Sequence, residues 1–135
     1  MAILYGTREW MDAAMREMNS SQAYKEAAKN WEGDMYIIIE PDASFKHRII
    51  TYYDLWHGEC RSACVVSDEN EKTPEFRIRA PLDKWRKVLE QKLNPIQGML
   101  TGQLKIKGNM SKIIKTPRAA VELVNCCSRI PTEFP

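Results

Sequence analysis

Two histidines, His47 and His57, and four cysteines, Cys60, Cys64, Cys126 and Cys127, are the side chains of this 135-residue chain best suited to chemistry. Thiolate and imidazole together make a zinc-ligand set, and His57, Cys60 and Cys64 lie close in sequence. On a strand, however, Cys60 and Cys64 would stand ~13 Å apart at ~3.3 Å per residue, too far to share one ion. A Cys–His nucleophile pair needs only to meet in space, and so many thiols make such a meeting available by chance. The chain has no G-x-S-x-G, no H-E-x-x-H, no P-loop and no dinucleotide fingerprint. No catalytic residue, metal ligand or cofactor is therefore assigned. The start, "MAILYGTREW", shows no secretory leader, so the expectation is a cytoplasmic protein with reduced thiols.

Charge is distributed unevenly. Residues 77 to 118 hold eleven Lys+Arg against two acids, Asp83 and Glu90, whereas the rest hold nine against sixteen; +9 and −7 give the net +2. A basic sector suggests an anionic partner: lipid headgroups, a phosphorylated cofactor or nucleic acid. The alternative is a solvated face whose counter-charges lie nearby in the fold. Nucleic acid is disfavoured, because single-strand binders interleave cations with exposed aromatics and the sector's Phe76 and Trp85 sit on expected core faces.

The elements that position these residues follow from caps and periodicity. Thr7 reads as an N-cap for a helix with Trp10, Met11, Ala14, Met15 and Met18 on one face. Ser21 caps a second helix through about Lys29. Strands are expected over 34–40, 45–56, 59–67 and 75–80, the second and third joined by a tight turn at His57-Gly58. Pro81 starts a helix through about Lys92 with Trp85, Val88, Leu89 and Leu93 inward, and Asn94-Pro95 ends it. A short apolar turn, Ile96 to Leu100, precedes a fifth strand over 103–107, and Thr116-Pro117 opens a last helix. The order predicts an α+β fold in one domain over 1–135, a five-stranded, mostly antiparallel sheet covered on one face by helices.

The segment from Trp85 to Ile114 carries a more specific pattern. Its parts are a Trp-bearing helix, Pro95, a short hydrophobic turn, Gly102, the lysine-bearing "QLKIK", Gly108-Asn109 and the apolar run Met110 to Ile114. This pattern resembles the sterol-binding domain of the sterol carrier protein-2 family. The resemblance implies helices and sheet enclosing an apolar tunnel, without chemistry of their own, for fatty acids, fatty acyl-CoA or sterol-like molecules. Lys112 and Lys115 within the apolar run, and the tail "CCSRIPTEFP", depart from the family pattern.

On that basis the expected lining is Leu89, Leu93, Ile96, Met99, Leu100, Leu104, Ile106, Met110, Ile113 and Leu123. Lys105, Lys107 and Lys112 would meet a headgroup or phosphate. The expected partners are a lipid or fatty acyl ligand and an anionic membrane surface, with no nucleic acid. The alternative is an interaction module of the same fold, its pocket filled, acting as a homodimer or accessory subunit. An empty pocket of ~300 Å³ would cost about 7 kcal/mol at ~24 cal/mol per Å³. That rivals a small domain's whole stability of about 5–15 kcal/mol. A ligand must therefore fill such a space, or the helices must close it.

Overall fold

The computed structural model describes all 135 residues. Helices α1 (Arg8–Ser20) and α2 (Gln22–Ala27) begin at the expected caps: Thr7 Oγ1 accepts from Trp10 N at 3.3 Å and Ser21 Oγ from Tyr24 N at 3.1 Å. Strands β2 (Glu32–Glu40), β3 (Ile49–Trp56), β4 (Glu59–Val66), β5 (Phe76–Pro81) and β6 (Lys105–Lys107) form one sheet in the order β4-β3-β2-β5-β6. All neighbours are antiparallel except β2 and β5, which run parallel. The β3–β4 turn has His57 and Gly58 both at positive φ, 51° and 81°, the conformation that a two-residue hairpin requires.

Alternation divides the sheet into two faces. Met35, Ile37, Tyr53, Leu55, Phe76 and Ile78 meet the helices, whereas Tyr36, Ile38, Ile50 and Val66 form a smaller cluster on the other side. The loop after β4 covers that outer cluster. Tyr36 Oη donates to Lys72 O at 3.1 Å, and Glu69 binds Arg77 and Arg79, each at 2.6 Å. At the β4 edge, Asn19 of α1 acts as a substitute strand. Its carboxamide accepts from Cys60 N at 2.8 Å and donates to Cys60 O at 3.0 Å.

The inner face is covered by α3 (Leu82–Leu89), α4 (Pro95–Leu100), α5 (Met110–Ile114) and α6 (Pro117–Ser128), together with the first two helices. Helix α3 ends earlier than the expected Lys92. Gln91 takes a left-handed φ of 60°, Gln91 N bonds Val88 O at 3.0 Å and Lys92 N bonds Lys87 O at 2.8 Å. This is a Schellman ending with glutamine where glycine is usual. β3 starts at Ile49 and not at Phe45, because Asp42 Oδ1 draws in Ser44 N and Phe45 N at 2.9 and 3.0 Å as a turn. β6 is shorter than "QLKIK" because Leu104 N bonds Gly98 O at 2.9 Å, tying that residue to α4.

One element was not expected. β1 (Ile3–Leu4) and β7 (Thr132–Glu133) pair in parallel and bring the two ends of the chain together. Trp10 Nε1 donates to Thr132 Oγ1 at 2.9 Å, and Tyr5 stacks on Phe134 at 6.2 Å between ring centres.

Candidate ligand cavity

The chemistry-bearing side chains are dispersed. The β4 strand holds one extra residue opposite Asp54/Leu55, and this bulge turns Cys60 towards the helices and Cys64 towards the outer face. His57 Nε2 pairs with Glu32 at 2.6 Å, and His47 lies against Phe45. Burial pushes Cys60 and Cys127 up to about 12 and raises Cys126 as well. Thiols so placed stay protonated and are poor nucleophiles at neutral pH.

The concave feature of the inner face is apolar. Between sheet and helices lies a cavity of about 80 Å³ with 17 lining residues, 15 of them hydrophobic. Met35, Leu55 and Ile78 form its sheet side, with Trp31 beside them, and Trp85, Met99, Ile113 and Leu123 its helix side. A second apolar cavity of about 70 Å³ shares Ile37, Trp85, Val88, Leu123 and Val124 with it and runs to Tyr5 and Phe134. An open groove of about 190 Å³ between α3 and α6 shares Val88, Pro95 and Val124 with the first. The groove carries the amides Gln91, Asn94 and Asn125, of which Gln91 Nε2 donates to Asn125 Oδ1 at 2.6 Å.

At ~24 cal/mol per Å³ the two apolar spaces, about 80 and about 70 Å³, would cost at most about 4 kcal/mol when empty. A small domain tolerates that. The helices have closed over most of the space that the sequence argument assigned to a pocket.

The expected lining residues distribute as follows. Met99, Leu104, Ile113 and Leu123 line the first cavity, Leu89 the second and Leu93 the groove. Ile96, Ile106 and Met110 pack on the core without reaching the cavities. Leu100 points to solvent, 57% exposed, because the turn that buries Met99 carries the next residue outward. Residues outside the expected lining set contribute as much: Tyr24 and Trp31 before the sheet, and Met35, Leu55 and Ile78 on it. The signal for the sheet side was the inward alternation of β2, β3 and β5.

The expected headgroup lysines are not at the cavity. In the β5–β6 register Lys105 lies opposite Arg79 and Lys107 opposite Arg77, so both extend from the outer face. Lys112 is already engaged: Nζ donates to Glu75 at 2.8 Å and to Glu32 O, and stands 5.2 Å over the Trp31 ring. The basic sector is thus partly neutralised, through Glu69 at Arg77 and Arg79 and Glu75 at Lys112. No carboxylate pairs with Lys105, Lys107, Lys115 or Arg118.

A mixed sheet whose inner face and overlying helices enclose an apolar space defines a class of domain built around a hydrophobic site. More narrowly, the chain belongs to the SCP-2 sterol transfer family, which matches residues 11–119. A crystal structure of sterol carrier protein 2 is 36% identical, with 93% of this chain and 98% of that chain covered and a TM-score of 0.84. A conserved hypothetical protein of Thermus thermophilus, described as a candidate sterol carrier protein, is 35% identical over 94% of this chain and 90% of that one, TM-score 0.83. The apo sterol carrier protein 2 of Yarrowia lipolytica shares the fold at 16% identity, covering 88% of this chain and 89% of that one, TM-score 0.60. No curated protein matches the chain.

Proposed function

We propose that this protein binds and carries a slender lipid-like molecule, a fatty acyl chain or an apolar body of similar width, without chemistry of its own. The supporting observation is the chain of apolar spaces running from Tyr24 through Val88 and Val124 to Phe134, with the open groove beside it. Family membership points the same way. Of the expected lining set, Leu89, Leu93, Met99, Leu104, Ile113 and Leu123 would contribute walls, and Ile96, Leu100, Ile106 and Met110 lie outside them.

The two apolar spaces are smaller than the ~300–1,000 Å³ of usual small-molecule sites, so loading displaces a wall. The segment suited to move is α4 to α5. Its helices are six and five residues long, Gly102 bends the connection at φ 79° with open space where a Cβ would stand, and Gly108 turns it again at φ 132°. A fatty acid would lay its chain inward and leave its carboxylate among the groove amides, since no cation lines the first cavity. Lys105, Lys107, Lys115 and Arg118, without acidic partners, remain free to meet an anionic membrane surface.

The test is to strip purified protein of lipid, offer it a fluorescent polyene fatty acid and record native mass spectra. One bound molecule per chain is expected, and Met99→Lys, in a variant whose circular dichroism is unchanged, binds none. A folded wild-type protein that loads no acyl ligand overturns the reading.

A further inference from the structure

One lining group has a polar valence left over. Trp31 Nε1 donates to Gly33 O at 3.0 Å, Trp85 Nε1 to Ile38 O at 2.9 Å and Thr116 Oγ1 to Lys112 O at 3.1 Å, so these three turn spent groups to the cavity. Tyr24 differs. It is 1% exposed, lines the first cavity, and its hydroxyl has no hydrogen-bond partner. No polar side-chain atom sealed from all free space lacks a partner. Among the groups that line this cavity, the Tyr24 hydroxyl is thus the one with a donor to spare.

We propose that the Tyr24 phenol anchors the ligand by donating a hydrogen bond to one neutral oxygen, the hydroxyl or ester carbonyl of an otherwise apolar molecule. This rests on the carrier reading and specifies which end of the ligand enters first. The position is built, not accidental. Ser21 caps α2 through Tyr24 N, and the Gly58 turn stands so close that a Cβ there would lie 2.8 Å from Lys25 backbone atoms. Tyr24 belongs to neither the second cavity nor the groove, so it marks the end of the first cavity that neither neighbour shares.

The chemistry selects neutral oxygen. Burial raises the Tyr24 phenol above its ordinary value, with the Cys60, Cys126 and Cys127 thiols adding to the shift, so it remains a proton donor. No Lys, Arg or His lines the cavity, so a carboxylate or phosphate carried to this end would be buried without a counter-charge. A molecule with no oxygen at all would leave the phenol unsatisfied, which disfavours it relative to an alcohol of the same length.

The experiment compares 1-dodecanol, n-dodecane and dodecanoate as competitors of a fluorescent polyene fatty acid, on wild type and on Tyr24→Phe, which keeps the ring and removes the donor. Wild type is expected to bind dodecanol in preference to dodecane. In Tyr24→Phe dodecanol weakens by roughly fivefold, as loss of one neutral hydrogen bond implies, while dodecane and dodecanoate hold or gain. A second readout needs no variant: the carbonyl infrared band of bound methyl dodecanoate shifts to lower wavenumber in wild type and returns in Tyr24→Phe. Equal dodecanol binding by the two proteins, or an unshifted ester band, overturns the anchor while leaving the carrier reading intact. A wild type that binds none of the probes overturns both.

Discussion

The cysteines show how little a residue's type says before its surroundings are known. Cys60, Cys126 and Cys127 are buried, and each thiol is raised by that burial. Cys64 alone is half-buried, on the outer face. In the native protein a colourless thiol reagent such as DTNB should therefore label one cysteine within minutes, Cys64, and release the signal of the other three only on unfolding. Rapid labelling of Cys60 or Cys127 at neutral pH would restore the case for thiol chemistry. Residue types alone could not separate these four, because the bulge that sends Cys60 and Cys64 to opposite faces has no local signature. The caps at Thr7 and Ser21, by contrast, were readable from single letters, since their hydroxyls act on amides three residues away.

Among the elements, α5 has few attachments and one of them is ionic. Lys112 ties it to Glu75 and to the backbone at Glu32, across the rings of Trp31 and Phe76. Both partners are about one-third exposed or more, 35% and 42%, so the pair contributes little to global stability. Lys112→Met is expected to lower Tm by less than about 3 °C. Exchange of the α5 amides should nonetheless accelerate, and uptake of a fatty acid should quicken with it. Unchanged exchange across Met110–Ile114 would remove α5 from the moving wall. The sequence indicated this element but misread its lysine, because a cation in an apolar run carries no sign of where its carboxylate waits. Helices α1 and α3 and the five strands were legible for a simpler reason: their alternation or their 3.6-residue period is set by one buried face. β1 and β7 were not, since two residues pairing across nearly the whole chain leave no periodic trace.

At the scale of the molecule the outer face is held by charge. Glu69 receives hydrogen bonds from Arg79 and Arg77, which bring its carboxyl down to about 2 from the ordinary 4.5. A carboxyl lowered in the folded state stabilises fully above its unfolded value and loses that contribution as pH falls. The window therefore runs from about 4.5 down to about 2. Glu69 is part-exposed, so after solvent screening the contribution is about 1 kcal/mol, or about 3 °C in Tm. Thermal scans should show Tm falling over that window in wild type and a shallower fall in Glu69→Gln, and parallel curves would sink the assignment. The +9 sector visible in the sequence is thus divided in space, part locking the loop over Tyr36 and Ile38 and part left unpaired along the β6 side.

Asn19 has a consequence for how these molecules meet one another. Its carboxamide occupies both hydrogen-bonding groups of Cys60, where a neighbouring chain would otherwise lay a further rung on the ladder. The rim is stoppered by a side chain of the same polypeptide. A second copy approaching this edge finds that rung taken, so it would have to add its strand beyond Cys60, along a shorter stretch of β4.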